Sequence, residues 1–196
     1  MSVRTIHSGV VSSGLNVGSG AELIVDGGGV ASRTTIAPGG LEIISAEGSG
    51  VVTTVRGSQV VDGTALSATI LFGGQEFVGA GGRVSSWVVS GGEQTVLGSA
   101  ISGVLRSATV SGHAAEGLET VSSGGVAQDL SILRGGVQEV LAGGFTASVG
   151  ISAGGLEVVS GVADEVDIYA GGPQSRRRPR SWPGSSSSAT SCRRAC

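Results

Sequence analysis

One motif returns eight times along the chain at intervals of about nineteen residues: a Gly-Gly or near-Gly pair, then Glu or Gln, then Val or Ile two residues further on. Its acid-or-amide member is Glu22, Glu42, Gln59, Glu76, Gln94, Glu119, Gln138 and Glu157, at spacings of 20, 17, 17, 18, 25, 19 and 19. The aliphatic member is Ile24, Ile44, Val61, Val78, Val96, Val121, Val140 and Val159. A third column follows eleven to sixteen residues after each acid or amide: Ile36, Val55, Ile70, Val89, Val110, Ile132, Ile151 and Ile168. Self-similarity at this period marks an array or solenoid, in which each repeat buries its apolar face against its neighbours.

The period predicts an all-β chain. Glycine numbers 37 of 196 residues, 36 of them before Pro173, and aromatic residues make up only 3%. Glycine costs a helix about 1 kcal/mol per position, and the apolar runs between glycines are too short for a helical face. Two short strands per repeat, divided by bends such as Asp26-Gly27-Gly28-Gly29 and Ser122-Ser123-Gly124-Gly125, describe a parallel β-helix of about eight coils. Coils stacked at about 4.8 Å make a rod on the order of 40 Å long. Residues 1–18 read as a partial N-terminal coil, 19–172 as the β-helical repeats, and 173–196 as a basic Ser/Arg-rich disordered tail.

The polar column poses a problem of parity. Glu22 and Ile24, like every equivalent pair, are two residues apart, so a regular strand turns both to one face. A buried unpaired acid is expensive. The expectation is therefore that the acid or amide lies in the bend and forms an outward polar ladder, with a β-arc carrying a bulge as the alternative. The 25-residue interval between Gln94 and Glu119 holds about six extra residues, around Ser99–Ser102 or Ser111–Ala115, expected to protrude as a loop.

Charge divides the chain. Residues 1–172 hold six arginines and fifteen acids, and 173–196 hold six arginines and no acid; lysine is absent throughout. An acidic body argues against nucleic-acid binding, which needs clustered Lys and Arg against phosphates. The basic tail Arg176-Arg177-Arg178-Pro179-Arg180 reads as disordered or out-of-frame sequence, Trp182 alone makes no stacking platform, and Cys192 with Cys196 lacks the second ligand pair of a zinc site. His7 and His113 form no legible catalytic arrangement. Asp164, Glu165 and Asp167 read as a solvated edge rather than a cation site. No cofactor and no metal is expected. The leading expectation is a non-enzyme; a polysaccharide lyase or hydrolase on a β-helix, with grouped surface carboxylates, is the enzymatic alternative.

Laid out as Gly-Gly-x-Glu/Gln-x-Val, a glycine-rich bend and Thr-Val or Thr-Ile, the repeat resembles the passenger repeat of AIDA-type diffuse-adherence autotransporters. The resemblance is clearest in Gly39-Gly40-Leu41-Glu42-Ile43-Ile44 with Thr53-Thr54-Val55, in Gly135-Gly136-Val137-Gln138-Glu139-Val140 and in Gly154-Gly155-Leu156-Glu157-Val158-Val159, and it covers roughly residues 5–172. It implies a right-handed β-helical passenger at the surface of a Gram-negative bacterium, outer-membrane-attached or secreted, acting in adhesion, autoaggregation or biofilm formation. It also implies heptosylation in some members, for which Thr34, Thr35, Thr53, Thr54, Ser122 and Ser123 are residues of matching kind. Partners would be other passengers or host-surface glycans and proteins, by weak multivalent contacts that loosen with salt. A signal peptide and a translocator β-barrel are expected to flank such a passenger and neither is legible here, so a truncated, non-functional passenger fragment is the alternative.

Overall fold

A computed structural model describes residues 2–169; the readings of the 173–196 tail, with Trp182, Cys192 and Cys196, lie outside the described residues. The described residues wind as a parallel β-solenoid of nine coils, and every regular element among them is a strand. The first sheet takes one strand from each coil: Ser2–Ile6, Ala21–Val25, Leu41–Ile44, Ser58–Val61, Gln75–Val78, Glu93–Val96, Gly117–Val121, Gly136–Val140 and Leu156–Val159. The second sheet takes two short strands from each of the first six coils, such as Val30–Ser32 with Thr35–Ile36. In the last three coils they merge into Val126–Ile132, Phe145–Ile151 and Val162–Ile168. Residues before Ser19, which read as a partial coil, supply all three strand positions of the first turn.

Two aliphatic columns fill the interior. Ile44, Val61, Val78, Val96, Val121 and Val140 lie in register on the first sheet with no measurable exposure. Ile36, Val55, Ile70, Val89, Ile132 and Ile151 do the same on the second. Burying each such side chain contributes about 1.5–3 kcal/mol, and no coil could hold that burial without its neighbours. Ile168, in register with Ile151 on the last coil, is 36% exposed because no coil among the described residues covers it, and two further column members depart from the expected register. Val25, not Ile24, pairs with Ile44, because the strand Ala21–Val25 is set one residue off the expected register. Leu105, not Val110, stands between Val89 and Ile132.

Val110 belongs instead to the insertion. Ala108–Val110 and His113–Ala115 form an antiparallel hairpin outside the two sheets, which selects the second of the two expected loop positions. Ser99–Ile101, at the other, is a regular strand of the sixth coil. The hairpin sits on Gly91, where an added Cβ would meet the Ala108 Cβ at 2.8 Å.

A corner of left-handed backbone recurs once per coil, three residues before the third column. It is occupied by Gly14, Arg33, Val52, Ser67, Ser86, Ser102, Asp129, Ser148 and Glu165, with φ between 50° and 67°. Only the first is glycine, although L-residues pay roughly 1–2 kcal/mol there. Their amides explain the persistence. Arg33 N–H donates to the Val51 carbonyl at 2.8 Å, Val52 to Leu66 at 2.8 Å and Ser67 to Ser85 at 2.9 Å, each in the next coil. The corner thus extends the inter-coil hydrogen-bond ladder around the bend, and the residue after it points inward.

Candidate functional site

The residues singled out for function are the acids and amides of the first column, and the structure places them inside the rod. Glu42, Gln59, Glu76, Gln94, Glu119, Gln138 and Glu157 are all at most 2% exposed. The expected outward ladder is therefore corrected: the strands are regular here, and parity carries each acid or amide to the same interior face as the aliphatic residue two positions on. Glu22 leaves the column. It lies beside Leu41 on the outer face, and Leu23 takes the place next to Glu42. In the first coil the position belongs to Arg4, which is exposed and reaches Ser12 Oγ at 3.4 Å.

Strict alternation makes this interior tolerable. In register from the third coil to the ninth the column runs Glu42, Gln59, Glu76, Gln94, Glu119, Gln138, Glu157, so no acid stacks directly on another. Gln59 Nε2 donates to Glu42 Oε2 at 2.6 Å and Gln138 Nε2 to Glu119 Oε2 at 2.8 Å; Gln94 Nε2 donates in the same way to Glu76 Oε2. Gln138 Nε2 also reaches Thr146 Oγ1 at 3.3 Å, across the interior. Each amide therefore ties its own coil to the acid of the coil before.

Burial dominates the electrostatics. Desolvation lifts Glu42 from 4.5 to about 7, opposed by the hydrogen bond from Gln59 and by Thr34 beside it. Glu76 is lifted to about 7, opposed by Gln94. Glu119 is pushed to about 8, with the charges of Glu76 and Glu157 adding to desolvation, and Glu157 to about 7 by desolvation alone. The side chains that flank the column from the second sheet bring hydroxyls and one indole but no base: the buried titratable side chains among the described residues are these four glutamates.

The remaining candidates stay apart. His7 faces Asp26 at 3.8 Å on the surface of the first coils, and His113 lies in the hairpin. Asp164, Glu165 and Asp167 are exposed on the last coil; Glu165 Oε2 accepts from Ser148 Oγ at 3.2 Å. With Asp129 and Tyr169, Glu165 and Asp167 border an open cleft of about 440 Å³. Among the described residues no three His, Cys, Asp or Glu side chains gather as metal ligands. Of the hydroxyls matched to heptosylation, Thr34 and Thr53 are buried at 1% and 2% exposure. Thr35, Thr54 and Ser122 are partly exposed and Ser123 is exposed. Thr34 and Thr53 follow the left-handed corner, which turns them in.

With the ladder inside, the outer face of the first sheet becomes the surface that repeats along the rod. It was not foreseen, though the alternate strand positions announce it. Its two columns include Leu41, Leu118, Val137 and Leu156 in one, and Ile24, Ile43, Val60 and Phe77 in the other. Phe77 is 41% and Leu156 36% exposed, and the acids on this face are Glu22, Glu93 and Glu139.

No protein-family model matches the sequence, and no curated protein matches it. Among solved structures the chain is similar to a crystal structure of a TibC-catalyzed hyper-glycosylated TibA fragment, at 26% identity over 87% of this chain and 83% of that one, with a TM-score of 0.46.

Proposed function

We propose that this chain is an adhesive passenger module of an autotransporter-like protein, displayed on or released from the surface of a Gram-negative bacterium and acting in cell adhesion, autoaggregation or biofilm formation. The observation that carries the proposal is the outer face of the first sheet, which carries an apolar side chain, partly or fully exposed, on every coil but the sixth, where Glu93 and Thr95 stand, instead of gathering them at one pocket. The Gly-Gly-x-Glu/Gln-x-Val repeat and its resemblance to AIDA-type passengers supply the biological setting. Nine coils at about 4.8 Å give this face a length near 40 Å. Weak contacts repeated over that length add up through multivalency, whether the partner is a second rod or a host surface.

Placing the acids of the ladder inside changes the expected salt response. Contacts between rods through this face are apolar, and Glu22, Glu93 and Glu139 oppose them, so salt that screens these charges strengthens association rather than weakening it. Sedimentation velocity across a range of concentration and salt tests this, with Phe77→Glu as the comparison. Association that rises with salt and is lost in the variant agrees with the proposal. A chain that stays monomeric at high concentration in both low and high salt, and that fails to retain cells when coated on a surface, refutes it.

A further inference from the structure

Three register pairs in the ladder set an unpartnered amide oxygen beside a residue whose carboxylate oxygen is also unpartnered. Gln59 Oε1 and Glu76 Oε1 belong to register partners on adjacent coils, and neither has a hydrogen-bond partner. The same holds for Gln94 Oε1 with Glu119 Oε1, and for Gln138 Oε1 with Glu157, both of whose oxygens are unpartnered. An amide oxygen and a carboxylate oxygen facing each other in a dry interior repel, and each unsatisfied acceptor costs about 1–3 kcal/mol. Turning an amide over does not help. Its N–H and C=O groups lie on opposite edges, so the flip moves the orphaned oxygen from one neighbouring acid to the other.

We propose that Glu76, Glu119 and Glu157 are held as neutral acids, each donating its O–H to the amide oxygen of the glutamine in the preceding coil, so that acid and amide form one unbroken hydrogen-bond chain along the rod. In this chain each glutamine donates N–H backward to an acid and accepts O–H from the acid ahead. Every orphaned oxygen of Gln59, Gln94 and Gln138 gains a partner. Glu42 stands outside the set because its preceding neighbour is Leu23, which offers no acceptor, while the Thr34 hydroxyl beside it is a free donor. No cation competes for these carboxyls: among the described residues Lys, Arg, His and Asp are absent from the core, and the polar groups facing the ladder are Thr34, Thr53, Thr146 and Trp87, of which Thr53 Oγ1 and Trp87 Nε1 are, like Thr34 Oγ1, unpartnered donors, too few to serve all three glutamines.

The elevated titration of these groups, to about 7 for Glu76 and Glu157 and about 8 for Glu119 against 4.5 for an ordinary glutamate, agrees in direction. The sign for stability follows from linkage. Between pH 4.5 and about 7 to 8 the unfolded chain has released protons that the folded chain retains, so stability falls as pH rises through that window and levels off above it. The proton passes to solvent as an acid ionises. What remains is two facing acceptors, one of them charged.

Infrared difference spectroscopy on the full chain, with glutamate carbons isotopically labelled, tests the proposal without a mutation. Near pH 6 the folded protein is expected to retain a protonated-carboxyl C=O band to which Glu76, Glu119 and Glu157 contribute beside Glu42, and the band is lost between about pH 7 and 8. Complete ionisation of all glutamates by pH 6 in a folded rod overturns the proposal. The triple variant Glu76→Gln, Glu119→Gln, Glu157→Gln supplies an N–H where the acid supplied O–H and leaves only Glu42 of the ladder to ionise. Its denaturant midpoint is expected to lose most of the decline that the parent chain shows between about pH 5 and 8. An undiminished decline in the variant also overturns the proposal.

Discussion

The column that follows the left-handed corner tests whether neighbouring coils are fitted to one another or merely stacked. It runs Leu15, Thr34, Thr53, Ala68, Trp87, Gly103, Leu130 and Val149, so the largest side chain in the core stands between an alanine and a glycine. A Cβ added at Gly103 would lie 2.5 Å from Cη2 of Trp87 and closer still to Cζ2 and Cε2. The backbone has little room to yield, since Val104 N–H is bonded to the Trp87 carbonyl at 3.1 Å and Ser131 N–H to the Gly103 carbonyl at 3.0 Å. Gly103→Ala therefore costs about 1–3 kcal/mol, the range for an overpacked core. Trp87→Ala opens the same space and costs about 3–5 kcal/mol. Combining them reverses the sign of the first change. The φ of Gly103 is not positive, so alanine adds no strain once the ring is gone, and it stabilises by about 0.4–1 kcal/mol through the unfolded chain. Urea midpoints followed by far-UV circular dichroism give the four corners of the cycle. Exchange protection of the Val104 and Ser131 amides locates the effect in coils five to seven, since a repeat array need not unfold in one step. A Gly103→Ala penalty that is equal in the two backgrounds would refute the fit between these coils.

Three further outcomes follow from the fold. Val52 is β-branched, 49% exposed and held at φ 58°, so Val52→Asn is expected to raise stability by about 1 kcal/mol in the same denaturation assay. Replacing Thr109–Ala114 with a two-residue turn shortens a hairpin that joins neither sheet, and is expected to change the melting free energy by less than about 1 kcal/mol. A glycosyltransferase offered the folded chain is expected to modify hydroxyls from the set Thr35, Thr54, Ser122 and Ser123 while sparing Thr34 and Thr53, which peptide mass spectrometry resolves.

Much of this architecture is legible in the chain because burial on a solenoid acts coil by coil. A position that faces inward in one coil faces inward in the coils stacked on it, except at the ends, where Arg4 and Ile168 are exposed, and the aliphatic columns survive every change in bend length. The two misplaced members carry a signal of their own. From the interior acid or amide to the third column the distance is 13 residues from Glu42, Glu76, Glu119 and Gln138, and 11 from Gln59, Gln94 and Glu157 once Leu105 is counted. The values of 14 from Glu22 and 16 from Gln94 to Val110 fall outside that pair, and both mark residues that do not belong. The ladder was misplaced for a different reason. Weighed singly, a buried Glu is too costly; weighed as a column, Glu alternates with Gln without exception from residue 42 to 157, and each amide answers an acid. The left-handed corners escape inspection altogether, because arginine, valine, serine and aspartate share no local preference for that conformation, and the hydrogen bond their N–H donates to a carbonyl of the next coil selects it.

The alternation of acid and amide also gives the rod a rule of parity. A solenoid of identical coils can lengthen or shorten by any number of repeats, but here one coil is only half of the repeating unit. Excising residues 59–75 would set Glu42 directly on Glu76 and leave two acids stacked with no amide between them. Removing residues 59–93 instead brings Glu42 to Gln94 and restores the pattern. Duplications and deletions that the fold accepts should therefore arrive in pairs of coils, so the natural step in the length of this rod is about 10 Å rather than about 5 Å.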